Sequence, residues 1–107
     1  TMTPGQLVVA LYDKAITELN KAVYYIEEEP SIPKAHNSII RVLDIVDTLD
    51  SHLKEKYEIS KSLAAMYQYF RESLTKANVK KDAGILKELI PFFQEIRDAF
   101  AEASKGF

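Results

Sequence analysis

The sequence is 107 residues long, carries a net charge of −2, and mixes its 14 basic with its 16 acidic residues along the whole chain. This distribution excludes a typical nucleic-acid-binding protein, which gathers lysine and arginine on one face, and the absence of cysteine excludes disulfides and thiolate metal sites. The sequence also lacks a run of about 18 apolar residues and a secretory signal pattern at its start. We therefore expect one cytoplasmic domain over residues 1–107, without membrane insertion.

The first predicted element is a helix over residues 4–28. Thr3 and Gln6 match a capping box, in which each side chain bonds the other residue's backbone N–H, and Pro4 sits where a helix needs no donor. The helix should end at the acidic run 27–29, because three carboxylates oppose the dipole at a helix C-terminus. Its predicted core-facing stripe comprises Leu7, Leu11, Ala15, Leu19, Ala22 and Ile26.

A second helix is predicted over residues 33–54, after a break at Ser31. Its main apolar residues alternate between steps of four and three, which is the heptad spacing of a bundle seam. Three more apolar residues, Ile40, Leu43 and Ile45, lie off that stripe, so the apolar surface is wider than one seam requires. The stripe comprises Ala35, Ile39, Val42, Val46, Leu49 and Leu53.

After a polar turn at residues 54–57, the same spacing predicts a third helix over residues 58–78. A fourth helix is predicted over residues 83–104, with Asp82 as its N-cap. Pro91 lies inside this helix, where we expect a kink and not a break because the apolar phase continues across it. The two stripes comprise Ile59, Leu63, Met66, Phe70, Leu74 and Ala77, then Leu86, Leu89, Phe93, Ile96, Phe100 and Ala103.

Four amphipathic helices joined by short connections predict the fold. A helix of about 20 residues is about 30 Å long, so a connection of a few residues can only bring the next helix back alongside it. The sequence therefore predicts an all-α protein, an antiparallel up-down-up-down four-helix bundle.

The side chains that commonly carry catalysis or hold metals do not form a convincing site. His36 and His52 lie about 24 Å apart along one predicted helix, and neither follows a glutamate at the spacing of di-iron bundles. Phosphotransfer at His36 is disfavoured because bulky Ile39 and Ile40 follow it. Gly-rich phosphate loops and serine nucleophile elbows are absent from the sequence. We predict a protein that is not an enzyme and uses no cofactor or metal.

Several apolar and tyrosine side chains lie one step off the core stripes. Tyrosine suits half-exposed positions, since its ring can be buried while its hydroxyl stays in water. We predict that these residues line grooves for an amphipathic helix of a partner, although a larger core or a homodimer seam would produce the same pattern. The candidate partner-binding residues are Tyr12, Ile16, Ile40, Leu43, Tyr67 and Tyr69.

Short segments in each of the four predicted helices form a recognisable series. They are TPGQL at 3–7 and LYDKAI at 11–16, AH at 35–36, IR at 40–41 and DIV at 44–46, EISKSL at 58–63 and MYQY at 66–69, and EIRDAF at 95–100. In this order and spacing the chain resembles, over essentially its whole length, the flagellar export chaperones of the FliS family. Each segment alone is a weak helical pattern, but the ordered series is specific.

The resemblance implies a function. A protein of this family binds the disordered C-terminal segment of flagellin, blocks its early polymerisation, and delivers it to the flagellar type III export apparatus. The chain departs from the family at residues 55–57, where small residues are common, and it opens at Thr1 where the family has an N-terminal tail. The alternative is a structural or scaffold bundle whose spare apolar surface is a homodimer seam.

Overall fold

The computed structural model describes residues 1–53 and 58–105, and it shows helices and no strand in that part of the chain. The all-α prediction is confirmed, while the predicted polar turn at residues 54–57 lies outside the described residues. No helix of the described ranges is both long and apolar enough to cross a membrane. The elements are α1 (Pro4–Glu27), α2 (Ile32–Ser51), α3 (Glu58–Lys80) and α4 (Ala83–Ser104).

Hydrogen bonds from side chains explain where three of the helices begin. Thr3 Oγ1 accepts from the Gln6 N–H at 3.2 Å, and Gln6 Oε1 accepts from the Thr3 N–H at 2.9 Å, which confirms the predicted capping box. Asp82 caps α4, as predicted, by accepting from a backbone N–H at 2.9 Å. α2 begins at Ile32, one residue before the predicted start, because Ser31 is its N-cap.

Two predicted helix ends are wrong, and the backbone hydrogen bonds give the reason. α2 ends at Ser51, three residues earlier than predicted, because the next two N–H groups bond three residues back and tighten the last turn. α3 continues two residues further than predicted, to Lys80, and then Lys81 adopts a left-handed φ of 50°. The Asp82 N–H bonds back to a carbonyl of α3 at 3.0 Å, which closes a Schellman cap.

The order of contacts between neighbouring helices shows that they run antiparallel. In each neighbouring pair, residues late in one helix meet residues early in the other, as the short connections predict. The pairs are Asp13–Arg97 and Glu27–Lys87 between α1 and α4, Asp50–Arg71 and His36–Asn78 between α2 and α3, and Glu18–Arg41 and Tyr25–Lys34 between α1 and α2.

The core-facing residues of α1 differ from the predicted stripe. Leu7 is 51% exposed, whereas Tyr12, which was predicted to lie off the stripe, is fully buried together with Leu19. Each step of four residues along the predicted stripe goes about 40° past a full helical turn. Three such steps separate Leu7 from Leu19, so the two side chains point about 120° apart around α1. The heptad stripe of α2 carries no such drift, and its residues from Ala35 to Leu49 are buried as predicted.

Four aromatic rings from three helices form a closed circuit in the middle of the core. Tyr12 of α1 packs edge-on against Phe93 of α4, with ring centroids 6.0 Å apart. Phe93 lies against Phe70 of α3 at 4.5 Å, and Phe70 lies next to Tyr67 at 6.4 Å. The Tyr67 hydroxyl closes the circuit through a 3.0 Å hydrogen bond to the Tyr12 hydroxyl. These rings account for much of the packing between α1, α3 and α4.

The core becomes thinner towards the start of α3 and the end of α4. Phe93 is fully buried, but Ile96 and Phe100 further along the same predicted stripe are half-buried, and Ala103 is exposed. α4 continues as one helix through Pro91, as predicted. Apolar side chains therefore remain uncovered at this end of the bundle.

Candidate partner-binding surface

An open apolar groove of about 490 Å³ lies between α3 and α4. We call it the α3–α4 groove. All but one of the side chains that line it are apolar, and they come from the first half of α3 and from the middle and end of α4. The lining residues are Leu63, Met66, Phe92, Glu95, Ile96, Ala99, Phe100 and Ala103.

The groove exists because the seam between α3 and α4 closes at one end only. Phe70 and Phe93 fill the seam where their rings meet, 4.5 Å apart. Towards the open end, α4 presents the small residues Ala99 and Ala103, which leave room between the helices. Phe92, beside Phe93 where the groove begins, is 49% exposed. Apolar surface that a neighbouring helix leaves uncovered is typical of a partner-binding site.

Polar contacts hold the other three seams but not this one. Ion pairs join α1 to α2, α1 to α4, and α2 to α3, the last through Arg71, which bonds both Asp47 and Asp50. Between α3 and α4, the described side chains form neither an ion pair nor a hydrogen bond. The α3–α4 seam is therefore the one that a partner can enter without breaking a polar contact.

Two of the six predicted partner-binding residues lie in the core. Tyr12 is 0% and Tyr67 is 2% exposed, and their hydroxyls bond each other. The prediction that they line an open groove is corrected by this burial, since each ring packs in the aromatic circuit instead of facing solvent. Tyr12 still supports the α3–α4 groove from below, because its ring stacks at 5.9 Å on Phe100, which lines the groove.

The other four predicted residues reach the surface at three separate places. Ile40 is 36% exposed and Leu43 is half-buried, and both share the edge of α2 that faces α3 with His36. Ile16 is half-buried, one turn after Asp13, which contacts α4. Tyr69 is 49% exposed on α3. The six residues do not form one surface, and their partner-binding role stays a prediction.

Sequence reasoning missed the α3–α4 groove, although one signal for it was present. Phe92 stands directly beside the core residue Phe93, so it must lie about 100° from it around α4 and off the core stripe. Tyr69 is one turn after Met66, on the side of α3 that carries the groove, so it is the predicted residue nearest to this surface.

In the part of the chain that the structure describes, the ionisable side chains provide no arrangement suited to catalysis. Glu18 is buried between α1 and α2, where Lys21 lies 3.5 Å and Arg41 3.6 Å from its carboxylate oxygens. Its position between two cations is that of an ion pair joining the helices. In the described ranges, no three histidine, aspartate or glutamate side chains come close enough to hold a metal ion. His36 bonds the side chain of Asn78 at 3.0 Å.

Comparison with known proteins places the chain in a family. The family model described as "Flagellar protein FliS" matches residues 1–106. The flagellar secretion chaperone FliS of Bacillus subtilis (strain 168) is 32% identical over 103 residues, which are 96% of this chain and 77% of that protein. The proteins of the same name from Salmonella typhimurium and Escherichia coli (strain K12) are 27% and 29% identical, over 95% and 92% of this chain and 77% and 74% of their own lengths.

The family match agrees with what the residues themselves predicted. The relatives are named as chaperones, and the prediction that the chain is not an enzyme is confirmed by the family. The match extends along nearly the whole sequence, so it includes all four helices and both walls of the α3–α4 groove. The chain belongs to the FliS family of flagellar secretion chaperones.

Proposed function

We propose that this chain binds the disordered C-terminal segment of flagellin in the cytoplasm, prevents its premature polymerisation, and supports its delivery to the flagellar type III export apparatus. The observation that carries the proposal is the uncovered α3–α4 groove on a member of a flagellar secretion chaperone family. A secretion chaperone needs a surface that binds its cargo reversibly, so that the cargo can later be released. An apolar groove without polar cross-links meets that need.

The dimensions of the groove suit an amphipathic helix. Phe92 and Ala103 mark its extent along α4, and these twelve residues of helix span about 16 Å, or three turns. A partner helix that buries residues at positions i, i+3, i+4 and i+7 would fill a groove of this length. A segment that is disordered before binding loses conformational entropy when it folds there, which keeps the complex releasable despite a large contact area.

The outer predicted residues extend this surface. Tyr69 continues the α3 wall of the groove by one turn beyond Met66, and Ile40 and Leu43 offer a second apolar strip on α2. We assign Tyr12 and Tyr67 a supporting role, since their burial fits them to hold the groove floor and not to contact flagellin. A flagellin segment longer than three turns could use the groove and the α2 strip together.

The direct test is calorimetric titration of a flagellin C-terminal peptide into the chain and into two variants. Phe92→Asp places a charge in the groove, and we expect it to weaken binding at least about tenfold. Val79→Asp is the matched control, because Val79 is 80% exposed on α3 and does not line the groove. Equal affinity of Phe92→Asp and Val79→Asp would show that the groove is not the binding site.

The same preparation tests the alternative of a structural bundle with a homodimer seam. The groove would also suit a second copy of the chain, so sedimentation velocity over a range of concentrations should accompany the titration. A dimer that persists on dilution and ignores the flagellin peptide would favour the scaffold alternative. We expect the chain to bind the peptide, and Phe92→Asp to lose it.

A further inference from the structure

The two basic side chains of α4 lie towards one edge of the helix, where Asp98 also pairs with Arg97 at 3.3 Å. Its two basic residues both face α1, where Lys87 pairs with Glu27 at 2.7 Å and Arg97 pairs with Asp13 at 2.8 Å. These cations are therefore neutralised by α1 and are turned away from the α3–α4 groove. The opposite edge of α4, which borders the groove, has a different character.

Three exposed glutamates, Glu88, Glu95 and Glu102, follow one another along α4 at intervals of seven residues. Seven residues are about two helical turns, so the three side chains share one edge. Glu95 lines the α3–α4 groove, Glu102 lies on the same edge within the stretch of α4 that borders the groove, and Glu88 continues this edge about one turn beyond it. Among the described residues, Glu88 and Glu95 pair with no basic side chain, and Glu102 pairs only with exposed Lys105 at 3.5 Å.

Among the side chains that the structure describes, the facing wall of α3 beside the groove carries no comparable acidic row. Met66 lines the groove, and the residues one turn away on the same side of α3 are Ser62 and Tyr69, both exposed and neither of them an aspartate, glutamate, lysine or arginine. The groove therefore has an apolar floor, one acidic edge and one neutral edge. Because only one edge of the groove is acidic, the two long edges of a bound helix would meet different electrostatic surroundings.

We propose that the α3–α4 groove selects an amphipathic helix with lysine or arginine spaced about seven residues apart along one edge, held against Glu88, Glu95 and Glu102. This inference rests on the proposed function, because it concerns the same groove and names the chemistry of the segment it accepts. The acidic edge is about 21 Å long and extends about one turn beyond the groove, so it matches a partner helix of about four turns. The pairing fixes which edge of the bound helix faces α4.

The acidic edge acts beside an apolar contact that supplies most of the affinity. Exposed ion pairs are individually weak, but three in a row next to a desolvated groove favour one orientation and one class of partner. Their contribution must decrease with salt, since exposed charges are screened over about 10 Å at 0.1 M ionic strength. An apolar contact alone does not weaken with salt in this way. The salt dependence of the affinity therefore separates the ionic contribution from the apolar one.

The test uses two synthetic 18-residue amphipathic peptides with the same apolar face, one with three lysines and the other with three glutamates along the same edge. We expect the lysine peptide to bind the full chain about tenfold more tightly at low salt, and the difference to shrink at high salt. In the triple variant Glu88→Gln, Glu95→Gln, Glu102→Gln the preference should disappear.

A control variant changes the same number of charges elsewhere. Glu28→Gln, Asp44→Asn and Glu72→Gln remove three exposed carboxylates that do not line the groove, and this variant should keep the full preference for lysine. Equal binding of the two peptides to the wild-type chain, or equal loss of preference in both triple variants, would overturn the inference.

A third titration, with the flagellin C-terminal segment, separates this inference from the proposed function. If that segment binds with the same affinity to the wild-type chain and to the Glu88, Glu95 and Glu102 triple variant, charge selection is overturned while the chaperone function stands. If the lysine peptide shows the expected preference but the flagellin segment does not bind, the proposed function fails and the charge selection is supported.

Discussion

The hydrogen bond between Tyr12 and Tyr67 is the most informative contact at the scale of single residues. It joins α1 to α3, which lie diagonally across the bundle and have no close backbone contact. Only side chains as long as tyrosine bridge that distance, and each hydroxyl satisfies the other in an otherwise apolar core. The pair therefore joins α1 and α3 directly, whereas α2 and α4 connect these two helices only indirectly.

Removing both hydroxyls should cost less than the sum of removing each one alone. Tyr12→Phe or Tyr67→Phe leaves the other buried hydroxyl without its partner, and we expect each single variant to lose about 1–3 kcal/mol of unfolding free energy. The double variant should lose less than the sum of the single losses. Urea denaturation of the four proteins measures this coupling. Strictly additive losses would show that the two hydroxyls do not depend on each other.

The same pair predicts how stability changes in alkaline solution. Burial raises the pKa of the Tyr12 and Tyr67 hydroxyls above the ordinary value of 10.0. The unfolded chain then loses these protons first, so the contribution is complete below about pH 10 and is lost as the pH rises towards the folded pKa values. Each tyrosine can add up to about 1.4 kcal/mol of lost stability per pH unit.

Urea denaturation between pH 9 and pH 11.5 checks this expectation. The comparison must be with a protein that lacks only the buried pair, so that every other ionisable group is the same in both proteins. The variant with both Tyr12→Phe and Tyr67→Phe should lose stability less steeply than the wild type. Identical slopes for the two proteins would contradict the assigned burial effect.

At the scale of helices, the turn between α3 and α4 sets the geometry of the groove. Lys81 stops α3 with a left-handed backbone conformation, and Asp82 then starts α4 by capping its first turn. With only these two residues between the helices, α4 must return alongside α3. The Phe70–Phe93 contact lies midway along both helices, and most residues that line the groove lie on its far side from this turn.

Loss of the α4 cap should therefore destabilise the protein without changing its fold. We expect Asp82→Ala to reduce the unfolding free energy by about 1 kcal/mol, because the side-chain oxygen no longer accepts from the backbone N–H. Asp82→Asn keeps an oxygen acceptor and serves as the matched control, with a much smaller loss. Thermal denaturation followed by circular dichroism compares the two. Equal melting temperatures of the two variants would contradict the capping role.

At the scale of the whole molecule, repeated patterns were predictable from the sequence and pairings between distant residues were not. The heptad stripe of α2 and the caps at Thr3 and Asp82 are local, so they could be predicted correctly. The Tyr12–Tyr67 bond joins residues 55 positions apart, and helical spacing alone carries no information about it. Both rings were therefore predicted at the surface although they are buried.

The α3–α4 groove was missed for a related reason. Leu63, Met66, Ile96 and Phe100 follow the core spacing, and the sequence alone does not show that the facing helices separate there. Separation depends on how the bulky Phe70–Phe93 contact and the small residues further along α4 combine across two helices. The fold class was thus predictable from periodicity, the family from an ordered series of segments, and the groove only from the packed structure.

The central claim is that this chain keeps flagellin monomeric by holding its C-terminal segment in the α3–α4 groove. Size-exclusion chromatography with light scattering, on mixtures with full-length flagellin and with flagellin lacking that segment, tests it most directly. We predict that the wild-type chain forms a soluble complex with full-length flagellin only, and that Phe92→Asp forms markedly less of it at the same concentrations. A complex with the truncated flagellin, or polymerisation of full-length flagellin in the presence of the wild-type chain, would contradict the claim.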